Sequence, residues 1–159
     1  MPNWIEGTMK LRGKREDVMR FLDNEIIANN AGGDISEYID KRVEENGAVS
    51  YSFHNDPYVN GTRRMFLKDD EIYLENDDER ACIDVRQAWS FTPREGCDDE
   101  QIWANFSEKY NIDIKLFGIE SGFCFTQELI ALRGRNQVIN NVKTYEDWFW
   151  DCPFPRMGG

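Results

Sequence analysis

Trp4-Ile5-Glu6-Gly7-Thr8-Met9-Lys10-Leu11-Arg12 is the stretch on which the fold reading turns. Ile5, Gly7, Met9 and Leu11 fall on one side of a period-two repeat, and Trp4, Glu6, Thr8, Lys10 and Arg12 on the other. That alternation marks a half-buried strand. Gly13 ends it, and the period then changes. Val18, Phe21, Leu22 and Ile26 recur at three- and four-residue spacing among charged residues, which predicts an amphipathic helix over 15–28. A strand feeding directly into a helix of this kind points to helices packed on one face of a sheet.

Beyond the break at Ala31-Gly32-Gly33, residues 35–46 read as a short helix stopped by Asn46-Gly47. Val49, Tyr51 and Phe53 alternate as a second strand. Met65-Phe66-Leu67 and Ile72-Tyr73-Leu74 flank Lys68-Asp69-Asp70-Glu71 as a hairpin would, and 75–80 is a polar, acidic, exposed loop. A strand starts at Ala81 and continues into Ala88-Trp89-Ser90-Phe91. Asp98 and Asp99 are placed to cap a helix with the buried stripe Ile102, Trp103, Phe106 and Tyr110. Ile112, Ile114 and Leu116 open a further strand, which turns at Ser121-Gly122 and returns over 123–132. The result is one α+β domain over 1–159, a mostly antiparallel sheet with two main helices packed on one face, and its spacing permits a split β-α-β arrangement.

The opening Met1 to Gly13 with the helix after it resembles the YubB-type ferredoxin-like proteins of phages and plasmids. A second block agrees: Ala88-Trp89-Ser90, Trp103, Ser107-Glu108-Lys109-Tyr110 and Tyr145-Glu146-Asp147-Trp148. The two blocks cover about half of the chain. It departs from that pattern at Ile5, where cysteine is common, and in an insert around 55–80. The resemblance implies a ferredoxin-like fold and a mobile-element origin, and it brings no established enzymatic activity and no iron–sulfur cluster. In size and charge the chain is also similar to anti-CRISPR inhibitors of type II RNA-guided nucleases.

Charge narrows the function classes. The 30 acidic against 19 basic residues give a net charge of −11. Nucleic-acid binders carry a basic stripe that displaces counterions. Here Lys10, Arg12, Lys14 and Arg15 run straight into Glu16 and Asp17, so no direct nucleic-acid contact is expected. A basic protein partner is favoured instead by long-range attraction. The lone histidine, His54, has no nucleophile beside it. The four cysteines are scattered without a CxxC pair, and Gly32-Gly33 lacks a phosphate-loop pattern. No catalytic residues, cofactor or metal are therefore expected. The absence of an apolar run or leader-like segment predicts a cytoplasmic protein with no membrane association. The mobile-element resemblance implies that the cytoplasm is a host cell's, and the chain is expected to be a monomer or weak dimer.

The expected partner-binding residues are the acidic runs Asp69, Asp70, Glu71 and Asp77, Asp78, Glu79, with Trp148 and Trp150 as aromatic anchors. The expected role is inhibition of a host defence nuclease, above all an RNA-guided DNA endonuclease carrying its guide RNA. Such an enzyme must swing a cleavage domain onto its target, and an inhibitor that occludes or locks it suffices. Two other readings stay open at this point: a small metal- or nucleotide-dependent enzyme using the acidic clusters, and a structural module that self-associates through an open sheet edge.

Overall fold

The computed structural model describes residues 3–28, 39–92 and 101–157. The opening alternation becomes β1 (Trp4–Arg12), with Ile5, Met9 and Leu11 fully buried. It is followed by α1 (Arg15–Glu25), β2 (Ile26–Ile27), β3 (Ile39–Val43), β4 (Val49–Phe53), β5 (Tyr58–Val59), β6 (Met65–Leu67), β7 (Glu71–Leu74) and β8 (Arg80–Ala88). The chain then forms α2 (Ile102–Tyr110), β9 (Asp113–Glu120), β10 (Phe125–Ala131), β11 (Val138–Thr144) and a single turn, α3 (Trp148–Asp151). Eight strands make one sheet in the order β11-β10-β9-β1-β8-β6-β5-β2, and β3-β4-β7 make a second. β1 is the spine. It pairs with β8 from Trp4↔Ala88 to Arg12↔Arg80 and with β9 from Glu6↔Ile119 to Arg12↔Asp113.

This architecture overturns the expected ferredoxin-like α+β layout. A β-α-β unit joins parallel strands, whereas every strand pair among the described residues is antiparallel. Among the described residues the two sheets dominate, and the helices are only 11, 9 and 4 residues long. The cause lies between α1 and β8. Instead of one short crossover, that stretch supplies a second sheet, and its Val49, Tyr51, Phe53, Ile72 and Leu74 join the same hydrophobic cluster as Ile5, Phe21 and Ile83. β5 and β6 of the same stretch extend the large sheet, and after β7 the chain returns to it through β8, antiparallel to β1.

Three local expectations change with it. Part of the stretch read as a helix over 35–46 is strand β3, paired with β4 across a tight turn at Asn46-Gly47; residues 35–38 lie outside the described residues. Gly47 has φ +85°, and its N–H donates to the Glu44 carbonyl at 2.9 Å, while Glu44 N–H donates to the Ala48 carbonyl, a three-residue hairpin loop closed by a left-handed glycine. The hairpin expected over 65–74 does not form, because β6 joins the large sheet and β7 the small one. The corner between them is tied both ways. Lys68 N–H donates to the Asp84 carbonyl at 2.8 Å, while Phe53 N–H donates to the Asp70 carbonyl at 2.9 Å. The strand expected to run to Phe91 stops at Ala88, because Trp89 adopts φ 76° and leaves the ladder. The capping role read for Asp98 and Asp99 falls outside the described residues.

Phe91 then folds back, fully buried, against Gly118, which pairs with Gly7 across β9 and β1. A Cβ on Gly118 would stand 2.5 Å from the Phe91 ring. The buried amide of Gln127 fastens this segment: its Oε1 accepts from Phe91 N–H at 2.8 Å, and its Nε2 donates to Thr92 Oγ1 and Asn140 Oδ1. Trp103 Nε1 donates to the Phe91 carbonyl, which sets α2 against the same point. Among the described residues no helix is long and apolar enough to cross a membrane.

Candidate binding surfaces

The two acidic runs sit at opposite ends of β7, whose four residues span about 13 Å. They therefore do not form one patch. Asp69 is committed to the fold: its Oδ2 accepts from Asp84 N–H at 2.7 Å. Asp78 is committed likewise, accepting from Glu75 N–H at 2.7 Å and closing the turn ahead of β8. Asp70, Glu71, Asp77 and Glu79 remain exposed. Between the two runs Tyr73 stands out from β7, with its hydroxyl 3.5 Å from Glu44 Oε2. His54 is a surface group 3.5 Å from Asp40. Among the described residues no three His, Cys, Asp or Glu side chains converge as a metal site would need.

The aromatic tail divides by depth. Trp148 is buried against Ile119 and Cys152 on the outer face of the large sheet, and its indole N–H donates to the Pro155 carbonyl at 2.8 Å. Asp147 caps α3 through Trp150 N–H. Held by that anchor, Phe149 is 79% exposed and Trp150 86% exposed, with Phe154 half out beside them. Trp148 is thus a packing residue, whereas Trp150 is available to a partner. Exposed rings on a capped, anchored turn, flanked by Glu146, Asp147 and Asp151, make an aromatic knob with a negative rim.

A buried carboxylate bridges the helices. Glu25, at the end of α1, accepts from Tyr110 Oη, from Lys109 Nζ at 2.7 Å and from Asn60 Nδ2 at 3.3 Å. The hydrogen bond to Glu25 raises the Lys109 ammonium above its ordinary value, and burial, followed by the Glu25 hydrogen bond, raises the Tyr110 phenol. With three donors on two oxygens, this group joins α1 to α2 and to the loop after β5.

Sequence reading missed the outer face of β8-β1-β9-β10-β11. Register places Cys82, Lys10, Lys115, Ile130 and Ile139 side by side in one row across these five strands. Arg80, Arg12 and Asp113 form the row beside it. The C-terminal turn packs on the far half of this face through Trp148 and Cys152 against Ile119, and Met157 lines a pocket there together with Thr8 and Phe117. The near half is an open groove of about 750 Å³ with cations on its β8–β1 side and aliphatic side chains on its β10–β11 side. Each strand contributes only one or two of these residues, so no run in the sequence could have displayed them.

No family model, curated protein or solved structure matches the chain.

Proposed function

We propose that this protein is a non-catalytic inhibitor that binds a basic protein partner through its C-terminal aromatic knob and acidic surroundings. The observation that carries the reading is the exposure of Phe149 and Trp150 on a turn whose neighbour Trp148 is buried and whose cap is made. Large rings held rigidly in water are the residue type and setting of interface hot spots. The net charge of −11 adds attraction to a positive surface. The partner class that fits this charge and the N-terminal resemblance is a host nuclease that itself grips nucleic acid, with an RNA-guided DNA endonuclease as the foremost candidate. Binding would block its nucleic-acid channel or hold its cleavage domain away from the target.

The test is capture of a type II nuclease–guide complex by the purified protein, together with a DNA-cleavage assay. The expected result is binding and loss of cleavage with the wild type, and binding weakened about thirtyfold or more by Trp150→Ala, the loss of a 2 kcal/mol anchor. No association at micromolar protein would discard the nuclease. Full binding by a Phe149→Ala/Trp150→Ala variant would discard the knob.

A further inference from the structure

The groove on the near half of the outer sheet face breaks a rule of sheet design. Like charges directly opposite each other on neighbouring strands are destabilising. Here Arg12 lies opposite Arg80, and Lys10 lies opposite Lys115. Two of the four cations are answered within the chain: Arg12 pairs with Asp113 at 2.8 Å and Lys115 with Glu128 at 2.5 Å. Lys10 and Arg80 have no counter-ion among the described residues. In a chain with 30 acidic and 19 basic residues, two unanswered cations beside two answered ones are a departure from the average surface.

The rest of the groove has a direction. Lys10 and Arg80 stand at its β8–β1 side, and Ile130, Leu132 and Ile139 form its opposite side. Three strand spacings separate Lys10 from Ile139 in the row, about 14 Å. The volume, about 750 Å³, lies within the range of small-ligand clefts. A row that is cationic at one end and aliphatic at the other, with no aromatic side chain along it, does not match a stacked base. It matches an unbranched molecule with one anionic head.

We propose that this groove binds a linear anionic amphiphile, its carboxylate-like head on Lys10 and Arg80 and its aliphatic chain along Ile130, Leu132 and Ile139. The head answers both free cations, and the chain covers side chains that are otherwise partly in water. This inference does not depend on the inhibitor reading, since it uses neither the aromatic knob nor the acidic turns.

The experiment titrates sodium decanoate, below its micelle-forming concentration, into the full-length protein, followed by calorimetry and by amide chemical shifts. Acetate serves as head alone, and decylammonium as the same chain with the opposite charge. The expected result is saturable 1:1 binding of decanoate, with shifts centred on Lys10, Cys82, Ile130 and Ile139. Acetate should bind at least tenfold more weakly and decylammonium not at all. Lys10→Glu/Arg80→Glu, which alters only exposed side chains, should weaken decanoate at least tenfold. Ile130→Asp should do the same from the chain end, and thermal unfolding shows that both variants are folded. Absence of saturable binding at millimolar decanoate would overturn the proposal. So would equal binding of decylammonium, shifts centred elsewhere, or unchanged affinity in the charge-reversed variant. An acidic, aliphatic peptide that occupied the groove where decanoate did not would also overturn it, in favour of a protein ligand.

Discussion

Replacing Gln127 by Leu would separate two ways of accounting for the centre of this fold. Gln127 is fully buried, and its amide makes three hydrogen bonds at 2.6–2.8 Å, to Phe91 N–H, Thr92 Oγ1 and Asn140 Oδ1. Leucine is close in size, so the change opens little cavity. What it removes is the acceptor for Phe91 N–H. Asn140 is exposed and Thr92 partly so, and both can turn to water. Phe91 is 1% exposed and its N–H cannot. An orphaned buried donor costs about 1–3 kcal/mol. Part of this is offset because an apolar side chain is cheaper to bury than an amide. The net expected loss is about 1–2.5 kcal/mol, which in a domain of this size is a fall in Tm of about 2–10 °C. Urea unfolding gives the free energy. Amide exchange gives the location, since Phe91 N–H should lose its protection. Asn140→Ala removes the acceptor of one Gln127 Nε2–H, but at an exposed position where water can take its place, and should stay within about 0.5 kcal/mol of wild type. Gln127→Leu as stable as wild type, or Asn140→Ala as costly as Gln127→Leu, would refute the reasoning.

Gly118→Ala should cost about 1–3 kcal/mol or more by denaturant unfolding, because the new Cβ would lie 2.5 Å from the buried Phe91 ring and 2.7 Å from Ile5. Trp148→Ala should destabilise by about 3–5 kcal/mol at most, as a buried ring is lost, whereas Trp150→Ala should leave Tm unchanged within error; similar Tm values for the two would contradict the assignment of one to packing and the other to the surface. Burial alone would raise the Asp113 carboxyl, but hydrogen bonds from the Arg133 amide and from the Arg12 and Arg133 guanidinium groups outweigh it and hold the group below its ordinary value of 3.8. A depressed carboxylate contributes stability above its unfolded pKa and loses it as pH falls through the folded one, so the advantage of wild type over Asp113→Asn, about 0.5–1 kcal/mol with exposed arginine partners, should be complete near neutrality and fade below 3.8.

What the sequence displayed well was whatever repeats within one element. β1 kept its predicted residues 4–12, since alternation over nine positions leaves no other face to bury. The stripe Ile102, Trp103, Phe106 and Tyr110 is buried as read, and so are Val18, Phe21, Leu22 and Ile26. Partner choice was not displayed. Met65–Leu67 and Ile72–Leu74 each read as strand, but nothing in either run says that the two would enter different sheets; that follows from the backbone bonds around Lys68–Asp70. β11 passed unread because little of it meets the core: Val138 packs there, but Asn140, Val142 and Thr144 on the same face are exposed. The groove was invisible for a related reason. Its residues come from positions 10–12, 80–82, 113–115, 130, 132 and 139, and only the strand register makes them neighbours.

The separation of surfaces bears on how two kinds of ligand would find this molecule. At low ionic strength, where the Debye length reaches about 30 Å at 0.01 M, a particle approaching from a distance senses chiefly the net charge of −11. That field draws a basic protein toward the knob and repels an anion from the groove. Close in, the order reverses for the anion, because Lys10 and Arg80 are nearer to it than any unpaired carboxylate in the groove; Asp113 and Glu128 are already neutralised by Arg12, Arg133 and Lys115. Added salt therefore weakens the first encounter in one direction only. For the anion it screens long-range repulsion and short-range attraction together, and the two effects oppose each other. The aliphatic half of the groove, which salt does not screen in this way, then carries a share of the affinity that grows as salt rises. An acidic protein can hold an anionic molecule in this way only where its fold, and not its composition, gathers the cations, which is what the pairing of β1 with β8 and β9 does.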